Sequence, residues 1–374
     1  MGNIFILQAG RNITAKDIFA EQSENHFYPC FGGNGIRGYV TNCNRIGEYP
    51  IIGRQGALCG NVNLAMGEFY ATEHAVVVER FSDTDLMWAY YSLIALDLNQ
   101  YATATAQPGL AVNVINDVVI PIPPIQEQNR ISKAVTNLFS LIDCIEQEKI
   151  NLQETIKQAK SKILDLAIHG KLVPQDPTDE PANELLKRIN PKAKITCDNP
   201  HYRNLPIGWC LVRGKSLFEP MKSTKPNGTF FKYIDIDSID NKRQRINKIK
   251  ELKSKEAPSR ACRYTEKGDI VFSMVRPYLR NIAKVTDGDC IASTGFYICR
   301  TSKLMLSDFC YYLMCSDYVV NGLNQFMKGD NSPSINKGNI EDWYYPLPPY
   351  KEQQRIANAI SKAFTTLDAI SENL

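Results

Sequence analysis

The chain has 374 residues, 44% hydrophobic and 22% charged, with a formal net charge of +3. A length of this kind divides into two or more domains. There is no run of eighteen apolar residues, and Met1-Gly2-Asn3-Ile4 lacks a charged leader pattern, which predicts an unexported protein without a spanning helix. The 11 cysteines, Cys197 among them, are odd in number and form no C-x-x-C pair, and the four histidines are scattered. That argues against a zinc site and favours buried thiols in a reducing cytoplasm.

In residues 1–120, Tyr49–Ile52 and Ala75–Val78 are short apolar runs between Gly- and Asn-rich turns and predict strands, and Leu86–Leu98 predicts a helix. This segment carries 6 basic and 11 acidic side chains. Phe31-Gly32-Gly33-Asn34-Gly35 looks like the glycine loop of S-adenosylmethionine-dependent methyltransferases. It lacks the buried strand before it and the helix after it that such a loop needs.

Pro121-Ile122-Pro123-Pro124-Ile125-Gln126-Glu127-Gln128-Asn129-Arg130-Ile131 then returns 225 residues later as Pro346-Leu347-Pro348-Pro349-Tyr350-Lys351-Glu352-Gln353-Gln354-Arg355-Ile356, with 11 identities over 25 positions. A repeat of that period is a duplicated unit of domain plus helix. A Pro-Pro pair cannot lie inside a helix but suits the approach to its first turn. Beyond the first copy, Ile131, Val135, Leu138, Ile142, Ile145, Leu152, Ile156, Ala159, Ile163 and Leu166 step by four and three, broken at Lys149. Ile356, Ile360, Ala363, Leu367, Ile370 and Leu374 do the same after the second, which stops with its seam still in phase. An average period of 3.5 is a coiled-coil seam. At 1.5 Å per residue the helices should be roughly 65 and 37 Å long. Matching registers predict that they pair, antiparallel, as a ruler between two domains. The plainer alternative is an amphipathic helix lying on its own domain.

Residues 171–204 form a Pro-, Asp- and Lys-rich linker, with Gly170 as a helix C-cap and two helical turns at Ala182–Ile189. Leu205-Pro206-Ile207-Gly208-Trp209 opens a second domain over 205–345, which has no counterpart opening in the first. Strands are predicted at Asp269–Phe272 and Phe296–Cys299 and a helix at Asp308–Leu323. Ile51-Ile52-Gly53 matches Val271-Phe272-Ser273, and Asn61-Val62 matches Asn281-Ile282. Residues 200–345 carry 23 basic and 15 acidic side chains, and Lys222–Lys255 alone holds ten Lys or Arg against four acids, interleaved with Phe230, Phe231 and Tyr233. Such a run is either a solvated face or a phosphate-contacting surface. Leu347-Pro348-Pro349-Tyr350 looks like the catalytic loop of amino-group methyltransferases, but Leu347 cannot accept the amine hydrogen bond that chemistry needs. No phosphate loop or nucleophile–base pair is evident.

The paired Pro-x-Pro-Pro-x-x-Glu-Gln-x-Arg-Ile starts, Leu166-Ala167-Ile168-His169-Gly170-Lys171-Leu172-Val173-Pro174-Gln175, and Leu205–Trp209 resemble the specificity (S) subunit of type I restriction-modification systems. The resemblance implies an α/β (α+β) protein with target-recognition domains at 1–120 and 205–345. Helical spacers at 121–170 and 346–374 would pair as an antiparallel coiled coil. It implies a non-catalytic subunit that reads a bipartite DNA target and docks two DNA methyltransferase subunits and restriction subunits. S-adenosylmethionine, ATP and Mg would be bound by those partners. Candidate base or phosphate readers are Asn34, Arg37, Arg54, Gln55 and Asn61 in the first domain. In the second they are Lys222, Ser223, Thr224, Lys225, Lys232, Arg276, Tyr278, Arg280 and Asn281. Each has a plainer role in a turn, hairpin or solvated face. A coiled-coil scaffold that joins protein partners without DNA is the second reading.

Overall fold

The structure, a computed structural model, describes residues 1–374 except 57, 82, 104–107, 194 and 197–204, with the backbone alone at 195–196. Cys197 and the end of the 171–204 linker lie outside the described residues. The chain forms two compact units, Met1–Gln147 and Glu148–Leu374.

The first unit is built on β1 (Phe5–Ala9), β2 (Tyr28–Gly32), β3 (Gly35–Val40), β4 (Arg45–Gly53), β5 (Val62–Ala71) and β6 (Ala75–Arg80), in sheet order β1-β6-β4-β5-β2-β3. Side chains alternate across a strand. Ile51 and Val77 therefore join Phe31 and Phe69 on one face, while Ile52, Val76 and Val78 pack with Trp88, Leu93, Leu98, Leu110 and Ile115 on the other. Burying each such side chain contributes about 1.5–3 kcal/mol. The helix expected at Leu86–Leu98 is α1 (Leu86–Ala95), capped by Asp85, whose carboxylate accepts from Trp88 N at 2.8 Å. α2 (Val112–Asp117) follows.

Both proline motifs start helices as expected: α3 (Ile125–Ile168) has 44 residues, about 66 Å at 1.5 Å each. α3 passes from the first unit into the second. It ends at Gly170, whose φ of 65° and the bond from Lys171 N to Leu166 O at 2.8 Å form a left-handed C-cap.

In the second unit, α4 (Ala182–Ile189) is the predicted two-turn helix, followed by β7 (Ile195–Thr196), β8 (Cys210–Arg213) and α5 (Gly214–Leu217). β9 (Phe230–Ile234), the hairpin β10 (Ile239–Asp240) and β11 (Arg245–Ile246), β12 (Lys250–Lys253) and β13 (Ala261–Thr265) come next. β14 (Ile270–Ser273), β15 (Ile282–Lys284), β16 (Cys290–Ser293) and β17 (Phe296–Cys299) complete the central sheets. Their orders are β12-β9-β16-β13 and β15-β14-β17, and β18 (Tyr344–Leu347) makes a third sheet with β8 and β7. The helix predicted over Asp308–Leu323 is two, α6 (Ser307–Cys315) and α7 (Asp317–Asn324). Ser316 breaks it with an extended ψ of 153°, and its hydroxyl accepts from Val319 N to start the second. α8 (Lys337–Asp342) and α9 (Tyr350–Glu372) end the chain.

The duplication is visible in topology. β5-β4-β6 in the first unit and β15-β14-β17 in the second are the same antiparallel trio.

The coiled-coil seam is only partly realised. Ile156, Ile356 and Ile360 are buried, and Val135, Ile163, Leu166 and Leu367 are half-buried. Ile131, Leu138, Ile142, Ile145, Leu152 and Ile370 are exposed, against expectation. Lys160 Nζ lies 5.3 Å over the Phe364 ring and pairs with Asp368. The end of α3 and the start of α9 both approach the 206–208 segment, since Gly170 packs on Pro206 and Gly208 on Pro349. The two helices are therefore antiparallel. With Lys160 opposite Asp368, α9 ends at Glu372, one turn further on. Its 23 residues lie against α3 from about Ile156 to the C-terminal end of that helix.

Candidate nucleic-acid interface

Each unit presents one loop held by the same main-chain frame. In the first, Gly53 N donates to Asn61 O at 2.8 Å, Arg54 N to His74 O at 2.8 Å, and Leu110 N to Arg54 O at 2.8 Å. In the second, Ser273 N donates to Asn281 O at 3.0 Å, Met274 N to Gly295 O at 2.8 Å, and Ile335 N to Met274 O at 2.9 Å. The sequence pairing of Gly53 with Ser273 and Asn61 with Asn281 is thus a structural equivalence. Seven residues lie inside each frame, Arg54–Gly60 and Met274–Arg280, and they share no identity.

Positive φ falls at the same two positions of both loops: 94° and 88° at Gly56 and Gly60, 48° and 55° at Arg276 and Arg280. Glycine adopts this region freely, whereas an arginine there costs about 1–2 kcal/mol. For Arg280 the side chain accounts for its place: Nη1 donates to Cys315 O at 2.8 Å, and Nη2 pairs with Asp317. Arg276 uses one N–H on Asn331 O at 2.8 Å and is otherwise exposed, beside Tyr278. Backbone strain of this kind is found preferentially at binding and active sites.

In the first unit, Asn61 Nδ2 donates to Asn34 Oδ1 at 2.7 Å, and the Gly33 backbone packs against Gln55. Arg37 lies over Gly32. Asn34, Arg37, Arg54, Gln55 and Asn61 therefore share one end of the sheet, with Gln55 and Leu58 exposed. Burial pushes the neighbouring Cys30 thiol up to about 11, with Arg37 opposing. It is an inert core thiol.

Lys222, Ser223, Thr224 and Lys225 run beside β13, where Thr224 N donates to Cys262 O at 2.9 Å and Tyr264 N to Lys222 O at 3.1 Å. Lys222 lies 3.7 Å from Glu266. Lys232 is 2.6 Å from Asp287, and that hydrogen bond raises its pKa and lowers that of the aspartate. Lys232, Arg280 and the buried Asn281 are thus less available than the sequence suggests, because each is committed inside the chain.

The basic run divides similarly. Lys250 and Lys253 are also ion-paired, and Arg243 lies 3.8 Å from Glu372. Lys225, Lys242, Arg245, Lys248 and Lys255 make no ion pair among the described residues. Lys242 and Arg245 belong to the β10–β11 hairpin, which Asn241 Nδ2 ties to Leu279 O at 3.0 Å. This places free cations beside the Arg276–Tyr278 loop. Hairpin tip and loop are more than 30 residues apart, and no local pattern signals their pairing. Among the described residues there is no group of three His, Cys, Asp or Glu side chains fit to hold a metal ion.

The family described as type I restriction modification DNA specificity domain matches residues 1–154 and 209–374, and the chain belongs to that family. It is 46% identical over 145 residues to the EcoprrI type I restriction enzyme specificity subunit of Escherichia coli, covering 39% of this chain and 36% of that one. It is 24% identical over 361 residues to a putative type I specificity subunit of Haemophilus influenzae, covering 92% and 82%. Matches to the EcoprrI and EcoEI subunits span only 36% and 40% of those proteins. Among solved structures, the HsdS subunit from Thermoanaerobacter tengcongensis aligns at TM-score 0.44 and 32% identity, over 47% of this chain and 46% of that one.

Proposed function

We propose that this chain is the sequence-reading subunit of a type I restriction-modification complex, without catalysis of its own, acting in the cytoplasm on double-stranded DNA with a bipartite target. The observation that carries this reading is the pair of equivalent loop frames with unrelated contents, in a chain of the DNA specificity family. Lys and Arg contacts to phosphate supply salt-dependent affinity, and loop side chains reaching base edges supply selectivity. Two methyltransferase subunits and the restriction subunits dock on it and bring S-adenosylmethionine, ATP and Mg. The exposed Leu138, Leu141, Ile142 and Ile145 on α3 support a protein-covered face, since clustered apolar surface marks an interface.

The test is to express the chain with its methyltransferase subunits and map modified bases genome-wide. The expected result is methylation at two short motifs separated by a constant gap. A single continuous motif, or none, overturns the reading. Retention of partners without any DNA shift would favour a scaffold instead.

A further inference from the structure

Residue 128 and its repeat equivalent 353 are the most buried polar positions of the two helix starts, Gln128 at 2% and Gln353 at 0% exposure. Each is the fourth residue of its helix. Gln128 Nε2 donates to Pro123 O at 2.9 Å, and its Oε1 accepts from Asp85 N at 3.0 Å. Gln353 Nε2 donates to Pro348 O at 3.1 Å and Leu304 O at 3.0 Å, and its Oε1 accepts from Leu306 N at 2.8 Å. Asp85 and Leu306 are the residues just before α1 and α6. In both units one side-chain amide therefore ties three things together: the proline approach, the first turn of the long helix, and the entry of a domain helix, α1 in the first unit and α6 in the second.

We infer that Gln128 and Gln353 are positioning residues that lock each long helix to its recognition domain and so hold the gap between half-sites to one length. This rests on the bipartite reading above. Prolines bring no N–H groups of their own: the Pro124 and Pro349 carbonyls accept from main-chain N–H groups of the first turn, and those of Pro123 and Pro348 accept from the two glutamine side chains. Hydrogen bonds are directional, and two attachment points remove both tilt and rotation at the joint. The helix is also a long lever. A looseness of about 5° at the first turn of a helix about 66 Å long moves its far end by roughly 6 Å, or nearly two base pairs at 3.4 Å each.

The experiment uses the methyltransferase complex on duplexes that keep both half-sites and lengthen or shorten the gap by one base pair, beside duplexes with one half-site base changed. Gln128→Met and Gln353→Met keep side-chain length and remove the hydrogen bonds. Each should reduce the preference for the correct gap about tenfold and leave discrimination at the half-site bases unchanged. If either variant fails to fold, the other carries the test. Equal weakening on every duplex, with the gap preference intact, assigns the glutamines to stability alone and overturns the inference. A wild-type complex with base-specific sites but no gap preference would also overturn it. One without bipartite specificity removes the functional reading itself.

Discussion

Gly56 and Arg276 occupy the same position in two loops of equal length, at φ of 94° and 48°. The first unit fills a left-handed site with the residue that fits it, and the second fills it with one that does not. Arg276→Gly should therefore be neutral or stabilising by up to about 1 kcal/mol, as relief of strain offsets the added freedom of the unfolded chain. Discrimination at one position of one half-site should fall by about 1–3 kcal/mol. Thermal unfolding of the chain and competition titrations with the complex measure the two. A large loss of stability with unchanged base preference would make Arg276 a structural residue.

Trp209 Nε1 donates to Glu352 Oε2 at 3.1 Å, while the other carboxylate oxygen is buried and has no hydrogen-bond partner among the described residues. Burial raises the pKa of Glu352 above its ordinary 4.5, against the lowering effects of Trp209 and Arg355. A carboxyl raised on folding binds its proton more tightly in the native state. Its contribution is complete below the ordinary value and is lost as pH rises through the folded one. Glu352→Gln keeps an acceptor for the indole and removes the titration. The melting temperature of the variant relative to wild type should rise between pH 4.5 and neutrality, then level off.

Charge on α3 should act differently along its length. Leu164→Asp places a carboxylate in the core of the second unit and should cost about 3–5 kcal/mol. Ile142→Asp lies on an exposed face and should change stability by less than about 0.5 kcal/mol. It should nevertheless weaken retention of the methyltransferase subunits. Unfolding midpoints and co-purification separate the two effects.

Salt dependence should follow the unpaired cations. Replacing Lys242, Arg245 and Lys248 together with Gln should lower the slope of log affinity against log salt by about 0.9 for each phosphate left unneutralised, up to nearly three. Lys232→Gln should change it little, since that ammonium is held by Asp287 at 2.6 Å. The converse result would move the DNA surface to β9.

A heptad inserted between Ile142 and Leu152 falls in the exposed stretch of α3, outside its contacts with Phe364 and Asp368. It lengthens the helix by about 10 Å, or roughly three base pairs. Mapped methylation should show the same two motifs at a wider gap. New motifs would contradict the separation of reader from ruler.

Much of this was legible in the sequence, for physical reasons. Proline chemistry marked the starts of α3 and α9, and Gly170 marked an end. The period of 3.5 announced the helices but not how much of the seam is covered, because that depends on the reach of α9. Burial of Asn281 and the bond from Lys232 to Asp287 arise from residues brought together by the sheets, which side-chain type alone does not encode. The role of Gln128 and Gln353 escaped for the same reason. Their partners lie 43 and 47 residues away, at helix entries the repeat itself does not include.

Every bond that closes the two loop frames is made by backbone atoms. The bonds themselves involve no side chain of the residues they enclose, so the frame asks of them tolerance of positive φ at two positions and a fit to the packing around Cys59, Gly60 and Pro277. The seven enclosed residues differ at every position between the two units, although Cys59 and Pro277 are buried and Arg280 is held by Cys315 and Asp317. If these loops read bases as proposed, a lineage carrying this scaffold could change what it distinguishes by rewriting a short stretch, with the helices and sheets around it inherited intact.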